Sequence, residues 1–140
     1  MKQYRFIIGI DPGVNTGLSI WNPQTQLFVE VTCVPIHKAL EKVFYTNHLN
    51  TIFVRVEDAR LRKWYGKVGR EVLQGVGSVK RDCKIWEDFL KDMNIDHEFA
   101  HPLKGGTKWT AEQFKKYTGW SGQTNEHGRD SALLVYKFKK

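Results

Sequence analysis

Ile8 to Trp21 reads IGIDPGVNTGLSIW, and its pattern decides the fold. Arg5 to Asp11 (RFIIGID) is a nearly continuous apolar run closed by Pro12-Gly13, as expected of a central strand covered on both faces. Its acidic residue therefore falls at the end of the strand. Thr16 to Trp21 (TGLSIW), the turn residues Asn22-Pro23 and then Leu27 to Val34 (LFVEVTCV) follow, two further strands of an antiparallel meander.

Downstream the period changes. Between Pro35 and Leu49, residues Ile36, Leu40, Val43 and Phe44 form one stripe of an amphipathic helix. Thr51 to Asp58 (TIFVRVED) alternates, with Ile52, Val54 and Val56 on one face and Phe53, Arg55 and Glu57 on the other. This fourth strand again ends in carboxylates. Ala59 to Gly69 lacks a clean period and reads as an exposed loop or a frayed helix start. From Arg70 to about Met93, Val72, Val76, Val79, Cys83, Trp86, Leu90 and Met93 make a heptad-like stripe on a long helix. A core-facing helix is the first reading and a subunit contact the second. Ile95 to Ala100 reads as a last short strand, Lys104 to Thr107 as a Gly-containing loop, and Thr110 to Tyr117 as a helix capped at Thr110. A final helix is expected over Asn125 to Phe138, with Ala132, Leu133, Val135 and Tyr136 toward the sheet.

The order β-β-β-α-β-α-β-α-α describes a single α/β domain over residues 1–140. Right-handed crossovers place the fourth strand parallel to the first and near it. Asp11 and Glu57 then end their strands at the same sheet edge, where open α/β folds carry their sites.

The chain has 140 residues, 41% apolar and 26% charged, the composition of an ordinary globular domain that needs no disulfide or metal merely to fold. Cys33 and Cys83 stand outside any CxxC or Cys/His grouping, so no zinc site or disulfide framework is indicated and both read as buried thiols. No run suits a signal-peptide core or a membrane span, which makes the cytoplasm the expected location. The excess of 22 Lys and Arg over 15 Asp and Glu favours a polyanionic partner.

Asp11, Glu57 and Asp130 supply three carboxylates from distant parts of the chain, and His127, three residues before Asp130, shares a helix face with it. Carboxylates so gathered suit a pair of Mg²⁺ ions, which take oxygen ligands and retain waters. The imidazole can ligate or move protons near neutral pH. Each residue also fits an ordinary turn or surface role, so spacing alone does not decide.

The same residues carry a family resemblance. IGIDPGVNTGLSIW resembles the first motif of the RuvC family of Holliday-junction resolvases, a strand ending in aspartate, then Pro-Gly, then a Thr-Gly opening the second strand. FVRVEDA (Phe53 to Ala59) resembles that family's fourth strand with its catalytic glutamate, and EHGRDSALL (Glu126 to Leu134) its final helix. VLQGVGSV (Val72 to Val79) is similar to the helix after the family's DNA-contacting loop. The pieces arrive in the family's order across nearly the whole chain. The resemblance implies an RNase H-like fold with a five-stranded mixed sheet, and a homodimeric endonuclease that nicks branched DNA, four-way junctions above all. It implies two Mg²⁺ or Mn²⁺ ions per active site. Asp11, Glu57, His127 and Asp130 take the ligand positions. The family also places lysines near the scissile phosphate, for which Lys108 is the better candidate and Lys104 the poorer. The chain is compact for the family, as a phage-type member acting in the host cytoplasm would be.

Between Arg60 and Lys84 stand eight basic residues against two acidic ones, so most of the charge excess is local. Arg60, Arg62, Lys63, Lys67 and Arg70 are the expected DNA contacts, with Lys104 beside them. Trp64 and Tyr65 offer rings to stack on an unpaired base. The alternatives are a nuclease of forks, flaps or RNA–DNA hybrids, and a non-catalytic DNA-binding protein on the same fold. An actin-like phosphotransferase, which also uses a strand ending in Asp-x-Gly, needs two larger domains than this length provides.

Overall fold

The computed structural model describes residues 2–62, 70–103 and 108–140, and the side chains of 70–74 stand outside that description. Strands β1 (Phe6–Asp11), β2 (Asn15–Asn22) and β3 (Leu27–Pro35) are followed by α1 (Ile36–Leu49), β4 (Ile52–Glu57), α2 (Arg70–Asp92), β5 (Asp96–Ala100), α3 (Ala111–Thr118) and α4 (Glu126–Leu133). One sheet has the order β3-β2-β1-β4-β5. β1, β2 and β3 form the antiparallel meander, while β4 runs parallel to β1, and β5 parallel to β4. The central position of β1 explains its unbroken apolar run, because helices cover both its faces.

Those faces are built differently. One buries Ile8, Ile10, Leu18, Ile20, Ile52, Val54 and Val56 against Ala39 and Val43 of α1 and Trp86 and Leu90 of α2. The other buries Ile7, Trp21, Phe28 and Phe53 against Phe114 of α3 and Ala132, Leu134 and Val135 at and beyond the end of α4. The alternation expected in β4 is thus present, and the buried Cys83, Trp86 and Leu90 make the α2 stripe core-facing over those residues.

Three expectations need correction. In α1 the buried stripe runs through Ala39 and Val43, while Phe44 lies at its flank, 40% exposed and edge-on to Tyr45. Cys83 is buried but Cys33, on the edge strand β3, is only partly covered. The last helix stops at Leu133 instead of running to Phe138. Past it the backbone tightens, with Val135 N–H bonding Ala132 O and Phe138 N–H bonding Val135 O, a three-residue spacing. That winding lays Phe138 parallel to Phe53, with ring centroids 6.3 Å apart. Thr110 caps α3 as expected, in a full capping box with Gln113.

Candidate active site

Asp11 closes β1 in register with Gly17 of β2, which pairs Cys33 of β3. Ile10 pairs Val56, and Glu57 pairs Ala100, so Asp11 and Glu57 end neighbouring parallel strands at one level. α4 crosses the sheet above them. Its start is fixed by Asn125, whose Oδ1 accepts the Gly128 N–H at 2.8 Å. The first turn then aims His127 at Asp11, with Nδ1 donating to Oδ2 at 3.0 Å. One turn on, Asp130 is 6% exposed and accepts from Lys108 Nζ at 3.1 Å.

Lys108 also reaches Glu126 at 3.5 Å. Arg129 holds the Lys108–Trp109 segment alongside α4, bonding Trp109 O at 3.2 Å and both Thr124 O and Oγ1 at 3.0 and 2.9 Å. The Asp130 contact holds the Lys108 ammonium above its ordinary pKa.

The carboxylates strain against one another. Burial pushes the pKa of Glu57 up to about 7, and the charges of Asp11 and Asp130 add to that rise. Burial likewise raises Asp11, against the opposing pull of His127. Excess buried negative charge on an oxygen-rich donor set fits a hard divalent cation such as Mg²⁺ or Mn²⁺. Asp11, Glu57 and Asp130, with His127 beside them, are the residues that could hold one. Among the described residues no three such groups close around an ion as placed. His127 and Lys108 engage the oxygens of Asp11 and Asp130 instead.

The residues expected on DNA divide. Arg62 is exposed and its charge acts on Glu57. Arg60 is engaged within the chain: it bonds Asp58 through Nε at 2.8 Å and Nη2 at 2.9 Å, and reaches Glu87 of α2 at 3.1 Å. Asp58 is buried, and burial alone would raise its pKa, yet Arg60 holds it below the ordinary value. A guanidinium so engaged is a structural clamp between β4 and α2. Lys63, Trp64, Tyr65, Lys67 and Lys104 lie outside the described residues, and of Arg70 only the backbone, opening α2, is described.

Two residues that sequence reasoning passed over are Gly9 and Gly17. A Cβ on Gly17 would run into the His127 carbonyl, and one on Gly9 into the Ser131 carbonyl. They let α4 lie against the sheet at backbone distance. The signal was present, since isolated glycines within β-branched strands mark a close backbone approach.

No protein-family model matches the chain, and no curated protein matches it in sequence. Solved structures do match. A Thermus thermophilus RuvC in complex with Holliday junction substrate aligns with a TM-score of 0.59 at 12% identity, covering 94% of this chain and 91% of that one. A second Thermus thermophilus RuvC structure aligns with a TM-score of 0.55 at 14% identity, covering 94% and 92%. The fold is therefore the RNase H-like fold of RuvC, over nearly its full length.

Proposed function

We propose that this chain is a metal-dependent endonuclease of branched DNA, a Holliday-junction resolvase in its preferred substrate. The observation that carries the reading is the convergence of Asp11, Glu57 and Asp130 at one sheet edge with Lys108 and His127 against them. Hydrolysis of a phosphodiester needs an activated water and neutralisation of charge growing on the phosphate. Two Mg²⁺ or Mn²⁺ ions bound here would supply that Lewis acidity and lower the pKa of an attacking water. Asp11 lies between Glu57 and the α4 groups and would be among the residues that hold the ions. His127 is placed to hold or pass a proton at Nδ1. Lys108, released from Asp130, offers its ammonium to a phosphate oxygen.

The substrate class rests on the neighbour solved with a Holliday junction and on the basic stretch that begins just after Glu57. Arg62 and the residues from Lys63 to Arg70, with Lys104, make up the proposed DNA path. Symmetric nicking of two strands calls for two copies related by a two-fold axis. No helix among the described residues is long and apolar enough to cross a membrane.

The test is cleavage of a four-way junction with and without Mg²⁺, using wild type and Asp11→Asn. Paired nicks that require Mg²⁺ and vanish in Asp11→Asn, with junction binding retained, are expected. Near wild-type cutting by Asp11→Asn would falsify the site. A panel of forks, flaps and RNA–DNA hybrids cut as well as the junction would overturn the substrate.

A further inference from the structure

On the face beneath α4 the sheet residues fall into three rows. The edge row holds Cys33, Gly17, Asp11, Glu57 and Ala100, and the third row, deepest from the edge, holds Phe28, Trp21, Ile7, Phe53 and Asp96. Between them lies a row of Val31, Ser19, Gly9, Arg55 and Glu98. On the opposite face the same strands bury mainly apolar side chains, and the polar Thr16 and Asn22 of β2 bond neighbouring turns and not a helix. Polar groups in a core are unfavourable unless satisfied, and in the middle row Ser19 and Arg55 bond α4 or the chain just past it while Glu98 supports Arg55.

Ser19 is fully buried and sits 2.7 Å from Ser131 Oγ, with a second contact to Gly128 O at 3.2 Å. Ser131 itself donates to Gly128 O at 2.7 Å. These bonds grip α4 at the residue after His127 and at the residue after Asp130. Arg55 grips its other end. Its Nη1 donates to Leu134 O at 2.6 Å, its Nε to Glu98 at 2.7 Å, and its guanidinium lies 4.2 Å from the centre of the Phe138 ring. A cation at the carbonyl end of a helix also suits the helix dipole.

Arg55 precedes Glu57 by two residues on one strand, and Leu134 follows Asp130 by one helical turn. A rigid circuit therefore joins the two carboxylates: Glu57 along β4 to Arg55, across to Leu134, and back along α4 to Asp130. We infer that Ser19 and Arg55 are positioning residues that fix the seat of α4 on the sheet, and with it the spacing of Asp130 from Asp11 and Glu57. This rests on the nuclease reading, because the spacing matters only if those carboxylates share metal ions.

The test measures Mn²⁺ binding to the DNA-free protein by calorimetry, junction affinity in Ca²⁺, and cleavage as a function of Mg²⁺ concentration. Ser19→Ala leaves the Ser131 bond to Gly128 in place, and Arg55→Met keeps much of the length of the side chain. Both are expected to weaken Mn²⁺ binding by about 10- to 100-fold, the usual effect of losing an outer-shell support, with junction affinity within about twofold of wild type. Arg55→Lys keeps the charge but lacks the planar fork whose separate nitrogens reach Glu98 and Leu134, so it recovers only part of the loss. Lys2→Met, which removes the Lys2–Asp96 ion pair in the row farthest from the edge, leaves Mn²⁺ binding unchanged.

If Arg55→Met does not fold, Glu98→Gln loosens the same guanidinium from a partly exposed site and carries the measurement. Wild-type Mn²⁺ affinity in Ser19→Ala and in the folded Arg55 or Glu98 variant overturns the inference and leaves the nuclease reading standing. A wild-type protein that neither binds Mn²⁺ nor cuts a junction overturns both.

Discussion

The face of the sheet under α1 and α2 and the face under α3 and α4 are made from the same strands, residue by alternate residue, yet they obey different rules. The first is apolar through its centre, with Ile8, Ile10, Leu18, Val54 and Val56 all essentially inaccessible to solvent, and its polar Thr16 and Asn22 stand at the two ends of β2. The second is most apolar in the row farthest from the edge, where Phe28, Trp21, Ile7 and Phe53 lie, turns to Gly9, Ser19 and Arg55 in the middle, and ends in Asp11 and Glu57. Burial sets the fold on one face, while on the other the apolar base anchors a graded structure whose upper rows give up apolar contact for placement. Substitutions on the two faces should therefore fail in different ways.

The largest contrast is between Gly17→Val and Leu90→Ala. At Gly17 any β-carbon collides with backbone of α4 at His127, and backbone cannot swing aside as a side-chain tip can. Gly17→Val is expected to reduce junction cleavage by at least about 100-fold, because an ångström-scale misplacement of catalytic groups has that order of effect. Leu90, fully buried on the α2 side, leaves a cavity when cut to alanine and should cost about 2–5 kcal/mol of stability. Cleavage per folded molecule by Leu90→Ala stays within about threefold of wild type. Denaturant melts paired with cleavage rates check both, and comparable activity loss in the two variants would erase the distinction between the faces.

The pH response approaching neutrality is expected to be smaller and to come from the edge row. Without divalent ions Glu57 holds its proton up to about 7, against an ordinary value of 4.5. Between those values the folded chain binds more protons than the unfolded chain, so stability falls as pH rises through that window and levels above it. Melting in EDTA should show this decline, and Glu57→Gln should flatten it. Added Mg²⁺, replacing the proton as the compensating charge, raises the melting temperature more at pH 8 than at pH 5.5. An increment equal at both pH values would detach Glu57 from the metal site.

This division also explains what could be read in advance. The three-strand meander, the parallel partnership of β1 with β4, and the shared edge of Asp11 and Glu57 follow from alternation and crossover handedness, which are local patterns with global consequences. The length of α4 did not follow, because the apolar positions Val135, Tyr136 and Phe138 continue past Leu133 on tighter turns that period counting treats as helix. Arg60 was read by its charge, and what claims that charge is Glu87, 27 positions along the chain, together with a buried Asp58. The row of Ser19, Gly9 and Arg55 resisted reading for a related reason. Each residue is unremarkable in its own strand, and only the register of neighbouring strands aligns them under one helix.

The smallest expected effect separates the two arginines beside the edge. Arg62 is exposed and near Glu57, whereas Arg60 is locked to Asp58 and Glu87 and lies against the Phe99 ring. Charge that meets DNA phosphate releases counterions, so each lost contact should lower the slope of log affinity against log salt by about 0.9. Arg62→Gln is expected to weaken junction binding severalfold and reduce the slope by about that amount, with no change in stability. Arg60→Gln should leave the slope unchanged and instead destabilise the fold by about 2–3 kcal/mol, below the range for a fully buried pair because Arg60 is partly exposed. Junction titrations across a salt series, read beside melts of the same proteins, distinguish the two roles. A reduced slope in Arg60→Gln would return that residue to the DNA path and open the clamp between β4 and α2 when substrate binds.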